Sequence, residues 1–233
     1  MKNRSWLLAL HLCICFSAHA GLEEGLAAFK AENYSTAFIE LSPLAEAGNA
    51  AAQNAVGLMY QWGKGAEKNP KLAFSNTESS ALQGYADAQL ELGTLYYSGN
   101  GVTKDVVQAV NWWKKASDQG VPRASHNIAL MYSYGTGVPQ DYRQSVAYYR
   151  KAIEAGLWAS VFNLGVIYAS GAPGVPKDLM MSYVVFSVAS PNDSASAGHR
   201  GIVESRMTPS QLLRAKEVAS KLKLGSPLPK EVN

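Results

Sequence analysis

The side chains able to do chemistry are few, and their spacing limits what that chemistry can be. Beyond residue 20 the chain holds two histidines, His126 and His199, and no cysteine, because Cys13 and Cys15 both precede that point. A zinc site would have to be completed by carboxylates, and no His-x-x-x-His pair is present to begin one. Thiolate nucleophiles and disulfides are excluded over the same stretch. Ser220-Lys221-Leu222-Lys223 has a Ser-x-x-Lys spacing used by some acylated nucleophiles, but the companion Ser-Asp-Asn and Lys-Thr-Gly elements are missing. Its lysines read better as partners for the C-terminal end of a last helix. Gly63-Lys64-Gly65, Gly99-Asn100-Gly101 and Gly135-Thr136-Gly137 suggest phosphate cradles, yet a phosphate cradle follows a strand, and these follow helical patterns. His199, in the polar run Ala197-Gly198-His199-Arg200, reads as solvated. These residues call for no cofactor and no metal. What remains is a large stock of aromatic and apolar side chains, which is the chemistry of binding.

Those side chains are positioned by a repeat. Gly48, Gly84, Gly120 and Gly156 recur every 36 residues, followed in register by Gly57, Gly93, Ala129 and Gly165, then Tyr60, Tyr96, Tyr132 and Tyr168, then Gly63, Gly99, Gly135 and Gly171. A fixed period of that size is the mark of stacked supersecondary units. Each unit reads as two helices. Ala88, Leu92 and Leu95/Tyr96 form one apolar helical face, glycines stop that helix, and Asp105, Asp141, Asp178 or Asn69-Pro70 starts the next. The small residue nine after each lead glycine allows close helix approach. The tyrosine ladder is expected in the core, with Trp112, Tyr148 and Val185 as bulk on the second helices and Trp113 partly exposed. One such hairpin cannot bury its apolar face alone, so neighbours must stack.

The ends depart from the pattern. Lys2 and Arg4, the apolar run Trp6 to Phe16 and the small residues of Ala18-His19-Ala20 have the three parts of a secretory signal, so 1–20 reads as a signal peptide. Residues 21–47 read as an N-terminal capping helix pair, with Pro43 kinking or ending its second helix. Residues 48–191 hold the four repeats, and 192–224 are capping helices that include a Thr208-Pro209-Ser210-Gln211 start. Residues 225–233, with Gly225, Pro227 and Pro229, read as a flexible tail. The 21 Lys and Arg, less Lys2 and Arg4, leave 19 against 18 acidic residues, and that balance gives no basic stripe for nucleic acid. No apolar run in the mature chain is long enough for a transmembrane segment.

The frame running through Ala88, Leu92, Gly93, Tyr96, Gly99, Gly101, Val102, Asp105, Ala109, Trp112, Lys115 and Ala116 closely resembles the Sel1-like repeat, a relative of the tetratricopeptide repeat. Copy one departs at Ala66 and Asn76, and copy four at Val185 and the extra loop residue. The resemblance implies an all-α fold, a right-handed superhelical α-solenoid of stacked antiparallel helix pairs, that works by binding other proteins and not by catalysis. With the signal segment of residues 1–20, an exported protein is expected, in a bacterial periplasm or outside the cell, and a monomer when free. Carried over from tetratricopeptide arrays, a concave partner-binding groove would be lined by Asn54, Leu58, Gln61, Trp62, Leu90, Thr94, Tyr97, Arg123, His126, Leu130, Tyr134, Phe162 and Val166. The implied role is an interaction scaffold or adaptor, with a dedicated inhibitor or immunity protein against a toxin or enzyme as the alternative. A penicillin-interacting cell-wall enzyme is the rival from another class, and the missing cysteines set this chain apart from the disulfide-bearing branch with that activity.

Overall fold

The computed structural model describes residues 21–189, 193–230 and 232. Residues 1–20, on which the signal-peptide reading rests, lie outside them. The described chain is helical almost throughout, with one isolated bridge, Ala172 to Val175, in the lengthened loop of the fourth repeat. Helix α1 covers 21–30, α2 Tyr34–Glu46, α3 Ala50–Trp62, α4 Pro70–Leu82, α5 Ala86–Ser98 and α6 Val106–Asp118. Then follow α7 Pro122–Tyr134, α8 Tyr142–Glu154, α9 Ala159–Ser170, α10 Leu179–Ser187, α11 Ser194–Glu204 and α12 Pro209–Ala219. Successive helices pack in pairs, α3 on α4, α7 on α8 and α9 on α10, in the antiparallel hairpins that the repeat requires. The chain divides into two compact units, one up to Ala109 and one from Val110.

Helix starts follow their caps. The side chains of Asn49, Asn69, Asp105, Asp141, Asp178 and Asp193 each accept a hydrogen bond from a first-turn backbone N–H, and Thr208 forms the full reciprocal box with Gln211. Each such cap holds about 1 kcal/mol. The first helices end on Gly63, Gly99 and Gly135, all left-handed. The second loop glycine serves another purpose. A Cβ on Gly65 would lie 2.3 Å from the Tyr34 carbonyl oxygen, and one on Gly101 2.0 Å from that of Pro70, so the loop lies directly on the start of the preceding second helix.

Three expectations about the repeat helices and the cap before them are corrected. Helix α2 does not end at Pro43 but runs through it to Glu46; the proline forfeits the one bond its missing N–H would have made to the Ile39 carbonyl, and the helix continues for three more residues. The buried phase of the second helices is one residue later than expected. Trp113 is 2% exposed and Tyr149 and Phe186 1%, whereas Trp112 and Tyr148 are half-buried and Lys115 Nζ lies 3.8 Å from the Trp112 ring centre. Val185 is buried as well. The tyrosine ladder lies at the margin of the core, half-buried, with Tyr60 edge-on to Phe38, Tyr96 edge-on to Phe74 and Tyr132 stacked on Tyr148.

The free tail is replaced by a docked one. Leu228 and Val232 are buried in the apolar core of the second unit, and backbone groups of the segment bond to α8.

Neighbouring hairpins are joined by a polar tie at one repeat position. Gln53 donates to the Ala45 carbonyl at 3.1 Å, and Gln89, 36 residues on, donates to the Ala81 carbonyl at 3.3 Å. The next position is Ser125, too short to reach a carbonyl, and it meets the hydroxyl of Ser117, which stands where the others have alanine, at 2.8 Å. Loss of reach on one helix is matched by a longer side chain on the other.

Candidate functional site

The first helices supply the side chains expected to line a groove, and the structure separates them into three kinds. The column Asn54, Leu90, His126 and Phe162 is largely closed. Asn54 is 7% exposed and Leu90 5%, so neither offers surface to a partner. His126, half-buried, has Nδ1 2.8 Å from Ser160 Oγ on α9, and its ring stands edge-on to Tyr149. Phe162 is covered by His199 of α11, with ring centres 4.9 Å apart and planes at 84°. His199 is therefore a packing residue, which the polar run around it concealed. In the second unit this column faces the following helix, and that is why it closes.

Leu58, Gln61, Thr94, Leu130 and Val166 are half-buried. Thr94 turns its hydroxyl back to the Leu90 carbonyl at 3.0 Å, and Leu130 and Val166 pack against the core. The exposed kind comprises Trp62, Tyr97, Arg123 and Tyr134. Trp62 is 45% exposed and Tyr134 71%, each at the last position of its helix, with Tyr97 at 39% one position before the end of α5. All three rings thus stand in the last turn of their helices, next to the loop glycines Gly63, Gly99 and Gly135.

In the first unit, Trp62 belongs to a built cluster. Phe29 of α1 stacks on it at 5.8 Å, Tyr34 meets it edge-on at 6.1 Å, and Lys64 Nζ lies 4.8 Å from the Tyr34 ring centre and 5.9 Å from that of Trp62. Lys104 Nζ stands 5.4 Å from the ring centre of Tyr97. An ammonium over an aromatic face is held by the ring quadrupole while its remaining protons point outward. The unit thus presents aromatic rings with an ammonium group over their faces. Trp158, 52% exposed just ahead of α9, is a further surface ring that the sequence reading passed over. The signal was there: its repeat mates are Ala50, Ala86 and Pro122.

His126 and Ser160 are at the distance of a base and its nucleophile, the first requirement for covalent catalysis. Ser160, however, is fully buried, and burial holds the His126 imidazole below its usual pKa, disfavouring the protonated ring. The pair acts as a tie between α7 and α9. Among the described residues no three His, Cys, Asp or Glu side chains gather where they could hold a metal ion. None of the described helices is long and apolar enough to cross a membrane.

The model of the Sel1 repeat matches residues 50–85, 86–121, 122–157 and 158–183, more than half of the chain. The chain belongs to the Sel1 repeat family. Its repeats are similar to those of a Sel1 repeat protein from Oxalobacter formigenes, with 28% identity and a TM-score of 0.72, over 85% of this chain and 83% of that one. They are also similar to a protective antigen of uropathogenic Escherichia coli strains that displays an SLR fold. There the identity is 29% and the TM-score 0.50, over 81% of this chain and 48% of the antigen. No curated protein matches the sequence. The first Sel1 repeat thus carries the Trp62 cluster, the second Tyr97, the third Tyr134 and the fourth the covered Phe162.

Proposed function

We propose that the protein is an exported interaction scaffold that binds a protein partner through the exposed rings on its first helices, and that it does so without catalysis. The observation that carries this reading is the exposure of Trp62, Tyr97 and Tyr134 in a fold where the neighbouring positions are closed. Rings of this size left in water are costly unless covered, and Tyr, Trp and Arg dominate binding hot spots. A stacked helical frame adds preorganisation, since little conformational freedom remains to be lost on association. Lys64 and Lys104 beside those rings favour a partner whose contact face is acidic and aromatic-accepting.

Export rests on Lys2, Arg4, the Trp6 to Phe16 run and Ala18-His19-Ala20; amino-terminal sequencing of the mature protein is expected to begin at Gly21. For binding, the test is Tyr97→Ala with Tyr134→Ala, compared with the parent in capture from an envelope extract. Helix content should be unchanged and the captured set lost. A double variant that retains every captured protein overturns the reading. One stoichiometric partner in the parent would identify a dedicated inhibitor, and several weak ones an adaptor.

A further inference from the structure

The docked C-terminal segment is held by the kind of contacts that recognise a peptide. Arg150 Nη2 donates to the carbonyls of Leu228 and Pro229, the latter at 2.9 Å, and the Leu228 N–H donates to Glu154 Oε1 at 3.0 Å. The Gly225 N–H adds a bond of 3.2 Å to the Ile153 carbonyl at the end of α8. All of these use main-chain groups of the segment. Its sequence enters through two apolar side chains four residues apart, Leu228 and Val232, 5% and 4% exposed. Pro227 and Pro229 keep the segment extended, which lowers the entropy lost on docking.

This clamp is not a product of the repeat. The positions of Arg150 and Glu154 are held by Glu78 and Leu82 on α4, with Leu82 70% exposed. On α6 they are Lys114 and Asp118, a similar charge pair turned to other uses: Lys114 lies over the Tyr132 ring, and Asp118 pairs with Lys151 at 3.3 Å. Only in the third copy do the two charges one turn apart engage the C-terminal backbone.

We infer that the α8 face is a peptide-binding site occupied in cis by residues 225–230 and 232, and that it accepts in trans an extended, proline-bearing partner peptide with apolar side chains four residues apart. Because the clamp reads groups every peptide possesses, specificity lies in the two apolar positions and the proline-stiffened backbone. Tethering gives the chain's own segment a high effective concentration, so a partner must either bind more tightly or meet a chain whose segment has been released.

The test uses the full chain carrying Leu228→Asp and Val232→Asp, which releases the segment, and a fluorescent peptide of sequence 225–233 followed by anisotropy. The released chain should bind the peptide. Adding Arg150→Ala should weaken binding by about tenfold or more, the scale of losing a charged donor to two carbonyls. No binding by a released chain of unchanged helix content, or binding indifferent to Arg150, overturns the inference. If the released chain does not fold, amide exchange in the parent answers instead. Excess peptide should then speed exchange at Leu228 by capturing the open site, and a rate unaffected by peptide overturns the inference.

Discussion

In the first unit Gly57 faces Thr77, while in the second Gly165 faces the ring of Phe186, at equivalent places in the repeat. A Cβ on Gly57 would lie 2.7 Å from Thr77 Oγ1 and 3.2 Å from the Ala73 carbonyl oxygen; on Gly165 it would lie 2.4 Å from a ring carbon of Phe186. With a small partner the helices close until backbone meets backbone, and with a large one the ring fills the gap. The template therefore fixes a lack of space, not a particular contact. The polar interior differs too. The buried acceptors without a partner among the described residues, Asn54 Oδ1, Gln61 Oε1 and Thr77 Oγ1, all belong to the first unit. The second unit pairs its buried hydroxyls: Ser133 with Ser145 at 2.6 Å, Ser160 with His126, and Ser182 with the Gly165 carbonyl at 2.8 Å. One unit gains closeness at the cost of orphaned oxygens; the other gains apolar mass and satisfied pairs.

The largest break in this contrast should come from Phe186→Ala, which empties the ring from the second unit's core. A loss of about 3–5 kcal/mol is expected in denaturant unfolding, against a much smaller effect for Thr77→Ala. Next comes the loop glycine. Gly101→Ala combines a φ of +77° with a Cβ 2.0 Å from the immovable Pro70 carbonyl, and should cost about 3 kcal/mol or more. At Gly174, also at φ +77°, the obstacle is the flexible Arg143 side chain at 2.9 Å, which can move aside with loss of its exposed bond to the Gly174 carbonyl, so alanine there should cost the backbone strain of about 1–2 kcal/mol and little more. Equal losses at the two sites, measured by thermal unfolding, would remove the distinction drawn between the two loops.

Thr77→Val keeps the shape and deletes the orphaned hydroxyl, and should stabilise the first unit by up to about 1 kcal/mol; a destabilised variant would show that the hydroxyl is satisfied in solution. The smallest effect concerns acidity. Burial disfavours protonated His126 in the folded chain, whereas the unfolded chain takes up the proton near pH 6.5 at roughly the ordinary value. Its contribution is thus complete above that pH and is lost as pH falls toward the depressed folded value. His126→Gln should flatten that part of the stability profile, while an unchanged slope would place the pH dependence elsewhere.

How much of this could be read from the sequence varies with how local the cause is. Caps, loop glycines and the small residue at the close approach are dictated within one hairpin, so Asp141, Gly135 and Gly165 could be read directly. The choice between Trp112 and Trp113 could not. Adjacent aromatics on a helix point about 100° apart, and the packing of the whole array decides which one turns inward. The same holds for Asn54, Leu90, His126 and Phe162, a column of mixed chemistry whose burial depends on what lies beside it, down to His199 on α11. The segment at Leu228 looked free because its anchors, Arg150 and Glu154, lie far away along the chain and depart from the template there. Trp62, Tyr97 and Tyr134 came from the resemblance to tetratricopeptide arrays in one set with Leu90 and Phe162, and only the structure separates the exposed rings from the covered positions.

The tie that changes from Gln89 with Ala81 to Ser125 with Ser117 has a consequence for rearranging the chain. Excising residues 50–85 would bring Gln89 opposite Ala45, a match of long arm to bare carbonyl that already exists at Gln53. Excising 86–121 would bring Ser125 opposite Ala81, a short arm facing nothing it can reach. Equal lengths of sequence are therefore not interchangeable parts: one seam heals and the other stays open, and any shortened or extended version of this protein must carry both halves of a joint together.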